Sequence, residues 1–111
     1  YGPDVARANL VSLTADLPQV APGTLTSLNI GTGLGTDVNE LEAMIRGAMQ
    51  ELVATRGRPE TLPLPEHGPA RAGDLRSNLV DAARAAAVLG WRPAVGLADG
   101  LARTASWFAT N

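Results

Sequence analysis

A helical apolar stripe that follows a glycine-rich turn is the feature that most constrains how this chain can fold. Between positions 38 and 52, apolar residues recur at spacings of three and four, which places them on one helix face. They are Val38, Leu41, Met44, Ile45, Ala48, Met49 and Leu52. Glycines at 31, 33 and 35 precede the stripe, and the branched, alternating run of residues 24–30 predicts a strand. We expect the helix to open at Thr36, as its N-cap, and to end at Gly57.

Further helices are predicted on both sides of this motif. Asp4 is placed to cap a first helix, and Asp81 to cap a helix over 82–89 that Gly90 ends. A last helix begins at Leu97. The segment 61–66 contains prolines at 63 and 65, so it can form only an edge strand or an extended stretch.

Together these elements predict an α/β fold, in which a small two- or three-stranded sheet is flanked by helices. The length of 111 residues fits a single domain over residues 1–111. Two or three strands are few for a sheet that stands alone. We therefore expect a partner, which is either another domain or another subunit.

Charge and composition argue against several classes of function. The net charge is −2, and all nine cationic side chains are Arg, spread along the chain. Because nucleic-acid binding depends on clustered cations, no nucleic-acid partner is expected. There is no cysteine, which excludes disulfides and Cys-ligated metal, and no metal site is expected. The absence of cysteine fits a cytoplasmic protein. No apolar run reaches membrane-spanning length, so no membrane partner is expected.

The glycine-rich turn permits two interpretations. Its place between a strand and a helix is that of a phosphate-binding loop, where backbone N–H groups hold an anion. However, glycines at 31, 33 and 35 do not follow the dinucleotide fingerprint, and no lysine is present to complete a Walker motif. A structural turn and a turn that also lines a ligand pocket both remain open.

The sharpest polar cluster is Arg71–Ala72–Gly73–Asp74. Gly73 permits a tight turn that brings Arg71 and Asp74 near each other. An Arg side chain matches a diphosphate, and a carboxylate accepts hydrogen bonds from ribose or sugar hydroxyls. Local chemistry alone favours a simpler interpretation, a surface ion pair of little energetic value. His67 is the only histidine and has no neighbouring nucleophile, so no catalytic residue is predicted.

Taken in order, four segments resemble the carboxyl-terminal half of extended short-chain dehydrogenase/reductases, the NAD-dependent nucleotide-sugar epimerases and dehydratases. The segments are Asp4–Asn9 (DVARAN), Asn29–Leu41 (NIGTGLGTDVNEL), Arg71–Asp74 (RAGD) and Asp81–Phe108, which carries LGWRP, GL and WF. Each segment is short. Their order and spacing over nearly the whole chain are what make the resemblance specific.

The resemblance implies a site for a nucleoside-diphosphate sugar. By similarity to the family, Arg71 contacts the diphosphate and Asp74 contacts the ribose or a neighbouring group. Val38 lines the nucleotide pocket, and Asn78 belongs to the same wall. The parent activity that the resemblance favours is the 4-epimerisation of UDP-glucose, with NAD as the cofactor of the parent family. A dehydratase or decarboxylase parent has the same C-terminal signature and stays open.

Two functional motifs of the family are absent from this sequence. The family's cofactor-binding glycine motif and its catalytic Tyr-x-x-x-Lys pair are not in this sequence, which has no lysine. We therefore expect that this chain alone binds no cofactor and is not active by itself. A different class of function stays open, a stand-alone and non-catalytic module for binding or oligomerisation. The macromolecular partner expected in either case is a Rossmann domain or another copy of the chain.

Overall fold

A computed structural model describes residues 1–17, 21–57 and 61–110. The chain divides into two compact units. The first unit comprises Tyr1–Leu34 and Leu79–Gly96, and the second comprises Gly35–Asn78 and Leu97–Asn111. The described residues form four helices, which are α1 (Gly2–Thr14), α2 (Val38–Thr55), α3 (Ala83–Leu89) and α4 (Leu97–Thr110).

The first unit is built around one tryptophan. Helices α1 and α3 lie against each other, and Ala8, Ala85 and Trp91 form a buried cluster. Half-buried side chains pack against this cluster, namely Leu28, Ile30, Ala82 and Leu89. The Trp91 side chain is only 2% exposed. A fully buried aromatic ring contributes a large apolar area, so this one residue dominates the core of the first unit.

A buried carboxylate fastens α1 to the segment that follows α3. Asp4 accepts hydrogen bonds from Arg7 Nη2 at 2.8 Å and from the N–H groups of Ala94 and Val95 at 3.1 and 3.0 Å. Trp91 Nε1 donates to the Asp4 carbonyl oxygen at 3.0 Å. The hydrogen bond from Arg7, helped by the two backbone donors, holds the pKa of the Asp4 carboxyl below its ordinary value, although burial opposes this shift. The network therefore stabilises the charged form of Asp4.

Arg7 extends the same network. Its Nη2 also donates to the Arg92 carbonyl oxygen at 2.6 Å, and its guanidinium carbon lies 5.6 Å from the centre of the Trp91 ring. Helix α1 begins at Gly2, after the cap residue Tyr1. The prediction that Asp4 caps this helix is therefore wrong, because its carboxylate lies inside the first turn and binds the backbone near residue 94 instead.

In the second unit, α2 packs along α4. Asp37 caps α2, since its side chain accepts a hydrogen bond from the Glu40 N–H at 2.8 Å. The predicted cap at Thr36 is wrong by one residue. No residue of α2 is buried, and α4 buries only Gly100 and Ala105. The apolar stripe of α2 is thus only partly covered within this unit.

The predicted α/β fold with a two- or three-stranded sheet is wrong. Residues 1–17, 21–57 and 61–110 are helical or irregular and contain no strand. Residues 24–30 are extended, but no described segment pairs with the backbone of residues 25–30. A strand is defined by a ladder of hydrogen bonds to a neighbour, so an alternating sequence alone does not make one. In 61–66, Pro63 and Pro65 also lack the N–H group that such a ladder needs.

Candidate functional site

The predicted diphosphate-binding pair lies on one exposed turn of the second unit. The Asp74 N–H donates to the Arg71 carbonyl oxygen at 3.4 Å, and Gly73 has a φ of +89°, which other residues disfavour. Both side chains are exposed. The ion pairs formed between described residues involve other groups, so the surface ion pair favoured by local chemistry does not form. The guanidinium and the carboxylate can therefore both bind a ligand.

Val38 and Asn78, the other two predicted site residues, lie in different surroundings. Val38 begins α2 with 81% of its surface exposed, and it lines a groove of about 400 Å³. Asn78 is exposed in an irregular segment and does not line this groove. Arg71 and Asp74 do not line it either. The four binding roles stay predictions, with Val38 alone bordering the groove.

The groove lies along α2 and is mainly apolar. Its lining residues are Val38, Leu41, Glu42, Ile45, Arg46, Met49, Leu62 and Pro63. Its charged groups are joined within the helix, because Arg46 Nε donates to Glu42 Oε1 at 2.8 Å, one turn earlier. A mainly apolar lining with a few polar groups is typical of sites that bind small molecules.

One hydrogen bond ties the loop before the Arg71–Asp74 turn to the start of α2. His67 Nε2 lies 3.0 Å from Asn39 Oδ1, and Asn39 follows Val38 directly. The bond joins residues 28 positions apart. The sequence argued against a catalytic role for His67 and did not indicate this pairing, since no local pattern links a loop histidine to a distant helix. The bond connects the stretch that leads to Arg71 with the end of α2 that carries Val38.

The glycine-rich turn has a structural reason for two of its glycines. Gly33 has a φ of +72°, in the left-handed region. A Cβ atom added at Gly31 would lie 2.7 Å from Val80 Cγ2, closer than packing allows. The positive φ of Gly33 and the close packing at Gly31 favour the interpretation of the segment as a structural turn.

The first unit has its own groove, of about 320 Å³, without an ionisable side chain. It is lined by Ala8, Asn9, Ser12, Leu17, Thr26, Leu28, Ile30 and Leu89. General acid or base chemistry needs a titratable group, so this groove supplies none. Within residues 1–17, 21–57 and 61–110, no group of three or more His, Asp or Glu side chains is placed to hold a metal ion. The helices in these same ranges are too short or too polar to cross a membrane.

Comparison with known proteins identifies the class that this chain resembles, which is an epimerase. Over 80 residues, or 72% of its length, the chain is 44% identical to a curated epimerase. That relative is the UDP-glucose 4-epimerase of Mycolicibacterium smegmatis, and the match spans only 22% of its length. No family model and no solved structure matches the chain. The chain therefore contains a segment similar to part of a longer epimerase.

Proposed function

We propose that the chain is the nucleotide-sugar-binding portion of an NAD-dependent epimerase/dehydratase, equivalent to the C-terminal part of an extended short-chain dehydrogenase/reductase. The observation that carries the proposal is the 44% identity over 80 residues to a UDP-glucose 4-epimerase. The parent activity is accordingly the 4-epimerisation of UDP-glucose. The exposed Arg71–Asp74 turn supports a binding role, because the Arg71 guanidinium and the Asp74 carboxylate do not form an ion pair with each other.

In this proposal each site residue has a separate task. The Arg71 guanidinium donates to the diphosphate, for which its planar set of N–H groups is suited. The Asp74 carboxylate accepts hydrogen bonds from ribose hydroxyls, and the Asn78 amide offers both a donor and an acceptor to the same wall. Val38 contacts the base at the end of the α2 groove. The His67–Asn39 hydrogen bond supports the stretch that leads to Arg71.

The residues of this chain do not fit NAD. The glycines at 31, 33 and 35 lack the dinucleotide spacing, and Gly31 lies against Val80. The catalytic pair of the family requires a lysine, and the sequence has none. The redox chemistry that NAD supplies is therefore assigned to the remainder of the parent protein. This chain contributes binding of the sugar nucleotide and no chemical step.

Isothermal titration with UDP, UDP-glucose and NAD⁺ tests the proposal on the purified 111-residue chain. We expect UDP and UDP-glucose to bind and NAD⁺ not to bind. Arg71→Ala should weaken UDP binding by about tenfold or more, the loss expected when charged hydrogen bonds to phosphate are removed. Arg76→Ala is the matched control, since Arg76 is an exposed arginine in the same segment, and it should change affinity little.

Two results would contradict the proposal. Absence of UDP binding by the folded chain removes the nucleotide-sugar function. Equal losses of UDP affinity from Arg71→Ala and Arg76→Ala would show general attraction to an anion and would contradict a specific site at Arg71. Circular dichroism of each variant verifies that the four helices are retained, so a failure to bind is not confused with a failure to fold.

A second candidate function is a stand-alone, non-catalytic module for binding or oligomerisation. The observation that favours it is exposed apolar surface on α4, where Trp107 and Phe108 are 59% and 70% exposed. Their rings form an edge-to-face pair with centroids 5.0 Å apart. Large exposed aromatic side chains mark surfaces that bind other proteins. This candidate predicts self-association or capture of a Rossmann domain without any affinity for UDP, which the same titration distinguishes.

A further inference from the structure

Residues 61–67, which we call the strap, form an irregular stretch that two prolines stiffen. No helix or strand lies within these seven residues. Pro63 and Pro65 fix their own φ angles, and each favours an extended conformation in the leucine before it. Extended, proline-rich stretches form no internal hydrogen bonds. The position of the strap therefore depends on its contacts with other elements of the second unit.

The strap belongs to a stretch of chain that returns along α2. This helix ends at Thr55, and His67 then lies within hydrogen-bonding distance of Asn39, near the start of the same helix. At the rise of an α-helix, about 24 Å separates Asn39 from Thr55. Seven residues in an extended, proline-rich conformation cover about 22 Å. The strap is thus long enough to follow most of the helix.

The groove along α2 has one wall from the helix and one from the strap. Six of its lining residues belong to α2, and the other two are Leu62 and Pro63 of the strap. Leu62 is half-buried, whereas Leu64 is 76% exposed. The strap therefore directs one leucine towards the groove and the next away from it. Because one wall consists of strap residues, the position of the strap sets the width of the groove.

We propose that the strap is a movable wall of the α2 groove, held closed by the His67–Asn39 hydrogen bond. Both side chains of this bond are exposed, and such a bond contributes little to the folded state. It can therefore break while α2 and α4 stay packed, which is a local opening and not unfolding. When the bond breaks, Leu62 moves away from the groove and the apolar stripe of α2 becomes accessible. The inference does not depend on nucleotide-sugar binding.

Thiol labelling measures the opening, because the chain has no cysteine and a single introduced thiol is the only one present. Leu62→Cys places that thiol on the wall of the groove. In this background we expect His67→Ala to raise the labelling rate by about threefold, as the loss of one exposed hydrogen bond predicts. Asn39→Ala should raise it equally, and the double variant should raise it no further. Thr61→Ala, at an exposed position of the same strap, is the control and should leave the rate unchanged.

A second reporter separates opening of the strap from loosening of the whole unit. Ala102→Cys places a thiol at an exposed position on α4, where His67→Ala should not change the labelling rate. Spin labels at A43C and L64C, both exposed, report the distance between α2 and the strap, and His67→Ala should add longer distances. An unchanged rate at Leu62→Cys, or an unchanged distance, overturns the proposal. An equal rise at Ala102→Cys also overturns it, since the helices would then separate together with the strap.

Discussion

The two units place their tryptophans in opposite environments. In the first unit, Trp91 is 2% exposed and donates a hydrogen bond to the Asp4 carbonyl oxygen. In the second unit, Trp107 is 59% exposed. The same residue type therefore forms a core in one region and a surface in the other. The comparison separates a region whose residues bury and hydrogen-bond each other from a region that leaves large apolar and charged side chains exposed.

Removing the two tryptophans in turn should give the largest difference between the units. Trp91→Ala leaves a cavity and removes the hydrogen bond from the indole N–H, and it should lower the free energy of unfolding by about 3–5 kcal/mol. Trp107→Ala removes an exposed ring and should cost less than about 1 kcal/mol. Urea denaturation followed by circular dichroism measures both values. Similar losses in the two variants would show that the proposed contrast between the units is wrong.

Acid should weaken the first unit through Asp4. Because the folded-state pKa of this carboxyl lies below its ordinary value, the stabilisation is fully present above about pH 4 and is lost as the pH falls through the lowered pKa. Asp4→Asn should therefore lower the melting temperature at pH 7, and the gap to the unmodified chain should close as the pH falls through the lowered pKa of Asp4. Asp16→Asn, at an exposed aspartate, is the control. A gap that does not depend on pH contradicts the role of the charged form.

A methyl group at Gly31 tests how tightly the turn packs in the first unit. Gly31→Ala forces the new Cβ against Val80, and we expect a loss of about 1–3 kcal/mol in stability from this overpacking. The variant G31A/V80A should recover most of that loss, because it removes the methyl group that clashes. If G31A/V80A is less stable than G31A, the close contact is not the cause.

The smallest expected effect concerns the second unit and the His67–Asn39 hydrogen bond. His67→Ala should reduce UDP affinity by about threefold while changing stability little, since one exposed hydrogen bond contributes about 1 kcal/mol or less. Asn39→Ala should have the same effect, and the double variant should lose no more than either single one. If the losses in UDP affinity were additive, His67 and Asn39 would act independently, and their hydrogen bond would not position the stretch that leads to Arg71.

Much of the helical structure could be predicted from local sequence. The αL conformation of Gly90, with a φ of +62°, confirms the predicted end of α3, and α4 begins at Leu97 as predicted. The α2 stripe correctly indicated an amphipathic helix, although its cap lies at Asp37. Helix hydrogen bonds and caps join residues close in sequence, so a short window contains most of the information that they require.

The candidate site could be predicted only in part. The turn at Arg71–Asp74 follows from Gly73, whose positive φ only glycine adopts readily. Whether Arg71 and Asp74 pair with each other was not predictable, because two exposed side chains on one turn can either meet or stay apart. The hydrogen bond of His67 could not be predicted either, since its partner Asn39 lies 28 positions earlier in the chain.

The helices, the glycine turns and the likeness to an epimerase segment all follow from local sequence, because each rests on residue types at short and fixed spacings. Two other features depend on long-range packing. Residues 24–30 are extended without being a strand, and Asp4 binds the backbone at Ala94 and Val95. Both outcomes depend on which distant backbone groups come within hydrogen-bonding distance. That distance is set by the packing of the whole unit and not by the neighbouring residues in the chain.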